Sequence, residues 1–305
     1  MFVEEYLQDL RKERFAPRAL VGYGRRVIAR IKEHVYANPG AVRSIWSVGL
    51  GFFAAAFLIA VGLALGYDRR LAYDFFLQTA LWILPAFGFV TLNVELMRDR
   101  QGYRQSALNL PTMLTLLRVA LVPGIALFLL DRHFVLALIA FVIAALSDVA
   151  DGWVARRWKQ ETSLGTVLDP IVDVVFNLAV FFALAAAGLL PSWVFGVTAL
   201  RYGILLIGGA CLTIFVGPLR IRPTSFGRAT GVMTSSLVAL QVLVNAAPGR
   251  FADVVTPLNE IALGVLMSAT VVQVLLMGWY NLKVMTGEAA QARGRVVGDV
   301  RWGAQ

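Results

Sequence analysis

Charge is scarce in this chain. Of its 305 residues only 15% are charged while 58% are hydrophobic, and mean hydropathy is +0.70. Soluble domains carry about 25% charged and roughly 45–50% apolar residues, so a soluble globular fold is excluded. Cysteine is nearly absent. The single Cys211 rules out a disulfide framework and a cysteine metal site, and its apolar surroundings read as a small buried hydrophobe. Two histidines, His34 and His133, give no cluster and read as solvated loop residues. No internal repeat or low-complexity tract is present. A cleavable signal peptide is not expected either, because about 43 mixed, charged residues precede the first long apolar run. The net charge of +9 does not imply nucleic acid, because the cations gather in the connections of one side.

What is present is a series of long apolar runs. A span needs about 20 predominantly apolar residues, and eight segments qualify: 45–66, 73–96, 110–130, 133–151, 164–190, 193–217, 229–247 and 257–281. Residues 1–44 carry nine Lys or Arg, and later connections on the same side carry Arg98, Arg100, Arg104, Arg156, Arg157, Lys159, Arg220, Arg222 and Arg228. The opposite links are short and poor in cations. The positive-inside rule then puts both termini on the cytoplasmic side of a multi-pass protein. Within residues 1–44, Leu20, Val27, Ile28, Ile31 and Val35 fall at helical spacing among Arg25, Arg26, Arg30 and Lys32. Such a basic amphipathic arm is expected to lie in the headgroup plane. Trp46, Trp82, Trp193 and Trp279 read as interfacial belt residues.

The informative stretch is 148–173. Asp148 and Asp151 are three apart, and Asp169 and Asp173 are four apart, so each pair shares one helix face. Ionisable residues at a membrane segment are costly and mark a functional site. Two helices side by side would gather four carboxylates, an oxygen donor set suited to Mg²⁺ or Mn²⁺. Arg118 and Arg201 lie inside spans, where a cation needs a partner.

The string DVADGWVARRWKQETSLGTVLDPIVD reads D-x2-D-G-x2-A-R-x8-G-x3-D-x3-D. It resembles, without a mismatch, the signature of the CDP-alcohol phosphotransferase family (class I). The resemblance covers about residues 106–285. It implies an all-α integral membrane protein in which a six-helix bundle (106–285) follows an extra transmembrane pair (45–105) and the arm (1–44), with a cytoplasmic tail at 286–305. It implies an enzyme, a metal-dependent phospholipid-synthesising transferase. A phosphatidyl group passes from CDP-diacylglycerol to an alcohol, and CMP leaves. Asp148, Asp151 and Asp169 become the main ligands of Mg²⁺ (or Mn²⁺), two ions in all. Asp173 becomes the base and a further metal contact. Gly152 and Ala155 are small so that the nucleotide approaches the backbone, Arg156 offers a planar fork to phosphate, and Gly165 and Thr162 stand beside the CDP donor. The segment NLPTMLTLLR, 109–118, resembles the one opening the family's first conserved span. Its Thr115 matches a threonine near the cytidine, and Thr112 stands where Asn is frequent.

For the acceptor, the nearest subgroup resemblance is to phosphatidylglycerophosphate synthases. Arg118, Arg201, Arg220, Arg222 and Arg228 would receive a phosphorylated alcohol, with glycerol 3-phosphate leading. Two departures stand out: Tyr202 replaces the subgroup's Glu after Arg201, and Arg228 replaces a Lys. Cardiolipin, phosphatidylinositol-phosphate and phosphatidylserine synthases are the alternatives. A cation transporter using the four aspartates is the non-enzyme alternative, which leaves Gly152, Ala155 and Arg156 unexplained. A homodimer among membrane lipids, in a bacterial inner membrane with its active site facing the cytoplasm, completes the expectation.

Overall fold

The computed structural model describes residues 17–99, 101–211, 225–247 and 249–302, and among these it is helical with no strand. The elements are α1 (Pro17–Ala37), α2 (Pro39–Gly66), α3 (Arg69–Leu92), a 3₁₀ turn (Val94–Leu96), α4 (Leu110–Leu130), α5 (Phe134–Arg157), α6 (Ser163–Ala186), α7 (Ser192–Gly203), α8 (Ser225–Ala246) and α9 (Arg250–Trp302). A π-turn (Ile204–Gly208) follows α7. Among the described residues eight helices are long and apolar enough to cross a membrane, in segments that overlap the eight expected. The chain is a multi-pass integral membrane protein. The arm appears as α1, with Arg25, Arg26 and Ile28 exposed and Ile31 and Val35 half-buried; residues 1–16 lie outside the described residues.

The chain divides into two compact units, 1–187 and 188–305. In the first, the extra pair α2–α3 packs on α4, which in turn packs against α5 and α6. Ile45 of α2, Ile83, Phe87 and Val90 of α3, Leu116 and Val119 of α4, and Leu164, Leu168 and Val172 of α6 form one buried cluster. Small residues let the helices approach, as membrane packing requires. A Cβ on Gly124 of α4 would lie 2.7 Å from the Phe75 ring of α3, and that ring stacks on Phe128 at 5.6 Å. The fourth span runs past the expected end at 151 to Arg157, because residues 152–157 contain no proline or cap to stop it. Asp148, Asp151, Gly152, Ala155 and Arg156 therefore share one rigid helix. Its end is a Schellman-type turn: Lys159 is left-handed at φ 55°, and Gln160 N–H donates to the Ala155 carbonyl at 3.0 Å.

In the second unit, α9 packs against α7 and α8. Its buried polar centre is Gln241, whose Nε2 donates to the Leu189 carbonyl at 2.6 Å. Asn259 Nδ2 lies 2.6 Å from Gln241 Oε1 and 2.9 Å from the Leu237 carbonyl. Three small expectations are corrected here. Cys211 is exposed rather than buried, because its helix turns that face outward. His34 belongs to α1 and lies 3.4 Å from Glu95, because the arm folds back on the 3₁₀ turn. The ring of His133 packs edge-on to Tyr67, 5.9 Å between centroids.

Gln241→Leu leaves the Leu189 carbonyl and one Asn259 donor site unmatched away from water. The expected outcome is a loss of about 1 kcal/mol, seen as a lower Tm of the detergent-solubilised protein; an unchanged Tm would show the network contributes nothing.

Candidate active site

Three helix segments build the site. The start of α4 is capped by Asn109, whose side-chain oxygen accepts from Thr112 N–H at 3.3 Å. Its Nδ2 also donates to the Gln160 carbonyl at 2.5 Å. The start of α6 is capped by Thr162, whose Oγ1 accepts from Gly165 N–H at 3.1 Å. Both are ordinary N-caps, yet together they fix the α5–α6 turn over the start of α4. The connection after the second span seals the same corner: Ser163 N–H donates to the Arg98 carbonyl at 3.0 Å, and Asp99 bridges to Thr162.

Between these segments lies a cleft lined by Thr112, Thr115, Asp151, Gly152, Ala155, Thr162, Gly165 and Asp169, with Asn109, Gln160, Glu161 and Thr166 among its other walls. The structure thus brings together most of the residues expected around a nucleotide. Gly165 is hemmed in by two hydroxyls, since a Cβ there would lie 3.4 Å from Thr162 Oγ1 and 4.0 Å from Thr112 Oγ1. Gly152 makes room for its own helix neighbour: a Cβ would lie 3.3 Å from an Arg156 Nη atom. Arg156 itself is exposed, with its fork folded back over Gly152.

The carboxylates converge on one cation. Arg118 of α4 is 3% exposed. Its Nη1 lies 2.6 Å from Asp173 Oδ1, and its Nη2 lies 2.7 Å from Asp151 Oδ2 and 2.5 Å from Asp148 Oδ1. Asp169 joins through Thr115, whose Oγ1 is 3.1 Å from Asp169 Oδ1 and 3.2 Å from Asp151 Oδ2; its one proton serves one of them at a time. Asp151 is nearly closed off, while the Asp148 and Asp173 side chains are 57% and 55% exposed. The partner that a mid-span arginine demands is therefore the acidic motif itself. With the guanidinium at the shared centre, no group of three acidic, histidine or cysteine side chains among the described residues is arranged to hold a metal ion. The donor chemistry, carboxylate oxygens meeting at one point with two of them half open, still suits a hard divalent cation.

Arg201 finds a different partner: its Nη1 donates to the Tyr202 hydroxyl at 3.1 Å, and the guanidinium sits 4.8 Å over the Tyr202 ring. Tyr202, standing in the Glu position, takes over as the contact. Arg220 and Arg222 lie outside the described residues; Arg228 falls in α8, with its side chain outside the description. Sequence reasoning missed Asn109, Gln160, Glu161 and Thr166. The Asn-x-Pro start of α4 signals a cap, which would have found Asn109. Nothing local distinguishes Gln160, whose place depends on the left-handed turn at Lys159.

The sequence profile of CDP-alcohol phosphatidyltransferases matches residues 108–287, more than half of the chain, and the chain belongs to that family. It is similar to a probable cardiolipin synthase (CMP-forming) of Drosophila melanogaster, 31% identical over 126 residues, covering 41% of this chain and 38% of that protein. It is similar to a CDP-diacylglycerol–glycerol-3-phosphate 3-phosphatidyltransferase of Cereibacter sphaeroides, 31% identical over 140 residues, 44% of this chain and 62% of that one. The protein of that name from Aquifex aeolicus is 30% identical over 178 residues, 56% of this chain and 97% of its own length. The chain thus spans less than two thirds of the first two relatives.

Arg118→Met removes the cation that Asp148, Asp151 and Asp173 share at ion-pair distance. Breaking a fully buried pair costs about 3–5 kcal/mol; with Asp148 and Asp173 half open, roughly 1–3 kcal/mol is expected. The check is a marked fall in Tm in chelator-treated buffer, and a Tm equal to wild type would mean the cluster does not depend on Arg118.

Proposed function

We propose that the chain transfers a phosphatidyl group from CDP-diacylglycerol to a phosphorylated alcohol, releasing CMP, with glycerol 3-phosphate as the acceptor. The observation that carries this reading is that Asp148, Asp151 and Asp173 gather around the one Arg118 guanidinium, at the edge of a cleft lined by Thr112, Thr115, Gly152, Ala155, Thr162 and Gly165. Gln160 also lines the cleft, and its buried side-chain oxygen has no hydrogen-bond partner among the described residues. The family match and the names of the bacterial relatives support the donor and the acceptor.

The chemistry follows from these groups. The acceptor hydroxyl loses its proton to a carboxylate oxygen of Asp173, which needs only hydrogen-bond reach. The alcohol oxygen forms a bond to the phosphatidyl phosphorus as the bond from that phosphorus to the CMP oxygen breaks, and CMP leaves with the electron pair. Asp148, Asp151, Asp169 and Asp173 would hold two Mg²⁺ or Mn²⁺ ions, whose charge would offset that of the diphosphate. Arg118, beside Asp173, and the cations Arg201, Arg220, Arg222 and Arg228 are assigned to the acceptor phosphate, since arginine suits phosphate. The cation-rich connections support a site that faces the cytoplasm; a bacterial inner membrane and a homodimer as the working unit complete the proposal. A cardiolipin synthase is the second reading, favoured by the name of the fly relative.

The test is CMP release by the full-length protein in lipid, with glycerol 3-phosphate and phosphatidylglycerol offered separately. Release is expected with glycerol 3-phosphate, dependent on Mg²⁺ or Mn²⁺ and abolished by chelator. Asp173→Asn is expected to lower kcat by about 10²–10⁴-fold while keeping CDP-diacylglycerol binding. Release with phosphatidylglycerol alone selects the second reading, normal turnover by Asp173→Asn removes the base, and no release with any acceptor contradicts phosphatidyl transfer.

A further inference from the structure

A hydrogen bond also ties the extra helix pair to α4, the helix that carries Thr115 and Arg118. Pro123 lies inside α4 and has no N–H. The carbonyl four residues earlier, that of Val119, is thereby deprived of its helical partner. Away from water an unmatched carbonyl is expensive. Trp82 of α3 supplies the missing donor: its Nε1–H donates to the Val119 carbonyl at 3.0 Å. Trp82 is half-buried and falls in the middle of α3, so it is no interfacial belt residue. Its ring lines an apolar hollow with Pro85, Phe89, Val119 and Val172, so the indole N–H has no water to compete for it there.

The bond lands next to the site. Val119 follows Arg118 directly, and Thr115 is one turn earlier; these two carry every contact that gathers the four aspartates. We infer that Trp82 is a positioning residue for the transfer reaction: its indole holds the proline-weakened segment of α4 so that Arg118 and Thr115 stay in register with the carboxylates. The inference rests on the proposed phosphatidyl transfer for its kinetic readout alone. It assigns a catalytic consequence to the helix pair that precedes the family's domain.

The test is a double-mutant cycle. Trp82→Phe keeps an aromatic ring and removes the donor. Pro123→Ala restores the helix's own N–H to the Val119 carbonyl and makes the indole dispensable. Interhelical hydrogen bonds in membrane proteins are typically worth about 0.6 kcal/mol and up to about 1.7. The expected effect of Trp82→Phe is therefore a roughly 3- to 20-fold fall in kcat with KM for CDP-diacylglycerol little changed, together with a lower Tm. In the Pro123→Ala background the same substitution is expected to change neither. Equal losses in both backgrounds would assign the effect to packing, and no loss in the wild-type background would show the bond is idle; either overturns the inference. If the wild type releases no CMP, the transfer reading fails by itself. The Tm cycle then still decides whether the bond holds α4, and additive Tm changes would overturn it.

Discussion

Everything in the first unit depends on how a membrane segment accommodates four carboxylates and one guanidinium. Each of these charges alone is expensive in that setting. They become tolerable because Arg118 presents a planar fork with several donors, and three aspartates from two helices reach it within 2.7 Å. The fourth is tied in by a threonine hydroxyl. This arrangement fixes the distances among α4, α5 and α6 more tightly than apolar packing would, because guanidinium geometry tolerates little displacement. The caps at Asn109 and Thr162 and the left-handed turn at Lys159 then hold the ends of the same helices. A buried ion network is weak evidence for stability as such. Here its value is register: it keeps acidic oxygens pointed at one place at the mouth of a polar cleft.

The arginine also sets how the site responds to ligands. A guanidinium at the shared centre neutralises part of the acidic charge. A divalent cation or a phosphate arriving in the cleft competes with it for the same oxygens, or for the guanidinium itself. Asp148 and Asp173, half open, are free to turn toward such a ligand at small cost, whereas Asp151, nearly closed off, stays with Arg118 and Thr115. The aspartates therefore differ in role although the spacing treats them alike.

Much of this was legible in the sequence. Hydropathy alone marked the eight spans, because a bilayer demands a run of fixed length. The three- and four-residue spacings placed each aspartate pair on one helix face. The need of Arg118 for a partner was also readable, but not the partner's identity. Periodicity reports which face a residue occupies and is silent on what stands opposite, so the contact of Arg118 with residues 30 to 55 positions away had no local signal. Trp82 misled for the same reason. Tryptophan in a span suggests an interface, and only the crossing of α3 over the proline-broken turn of α4 gives its N–H a use. Gln160 depended on a left-handed lysine that no turn rule favours. Cys211 was misjudged because an apolar helix in a membrane buries less of its surface in protein than one in water.

The central claim, that carboxylates from two helices share one centre at the edge of a polar cleft, is tested most directly by locating Mn²⁺. Crystals of the full chain grown with Mn²⁺ and a CDP-containing ligand would be measured at the manganese absorption edge. The expected result is anomalous density bounded by Asp148, Asp151, Asp169 and Asp173, with the Arg118 guanidinium drawn away from at least one of them. Manganese bound elsewhere, or an unaltered Arg118 cluster with the ligand outside the cleft, would contradict it.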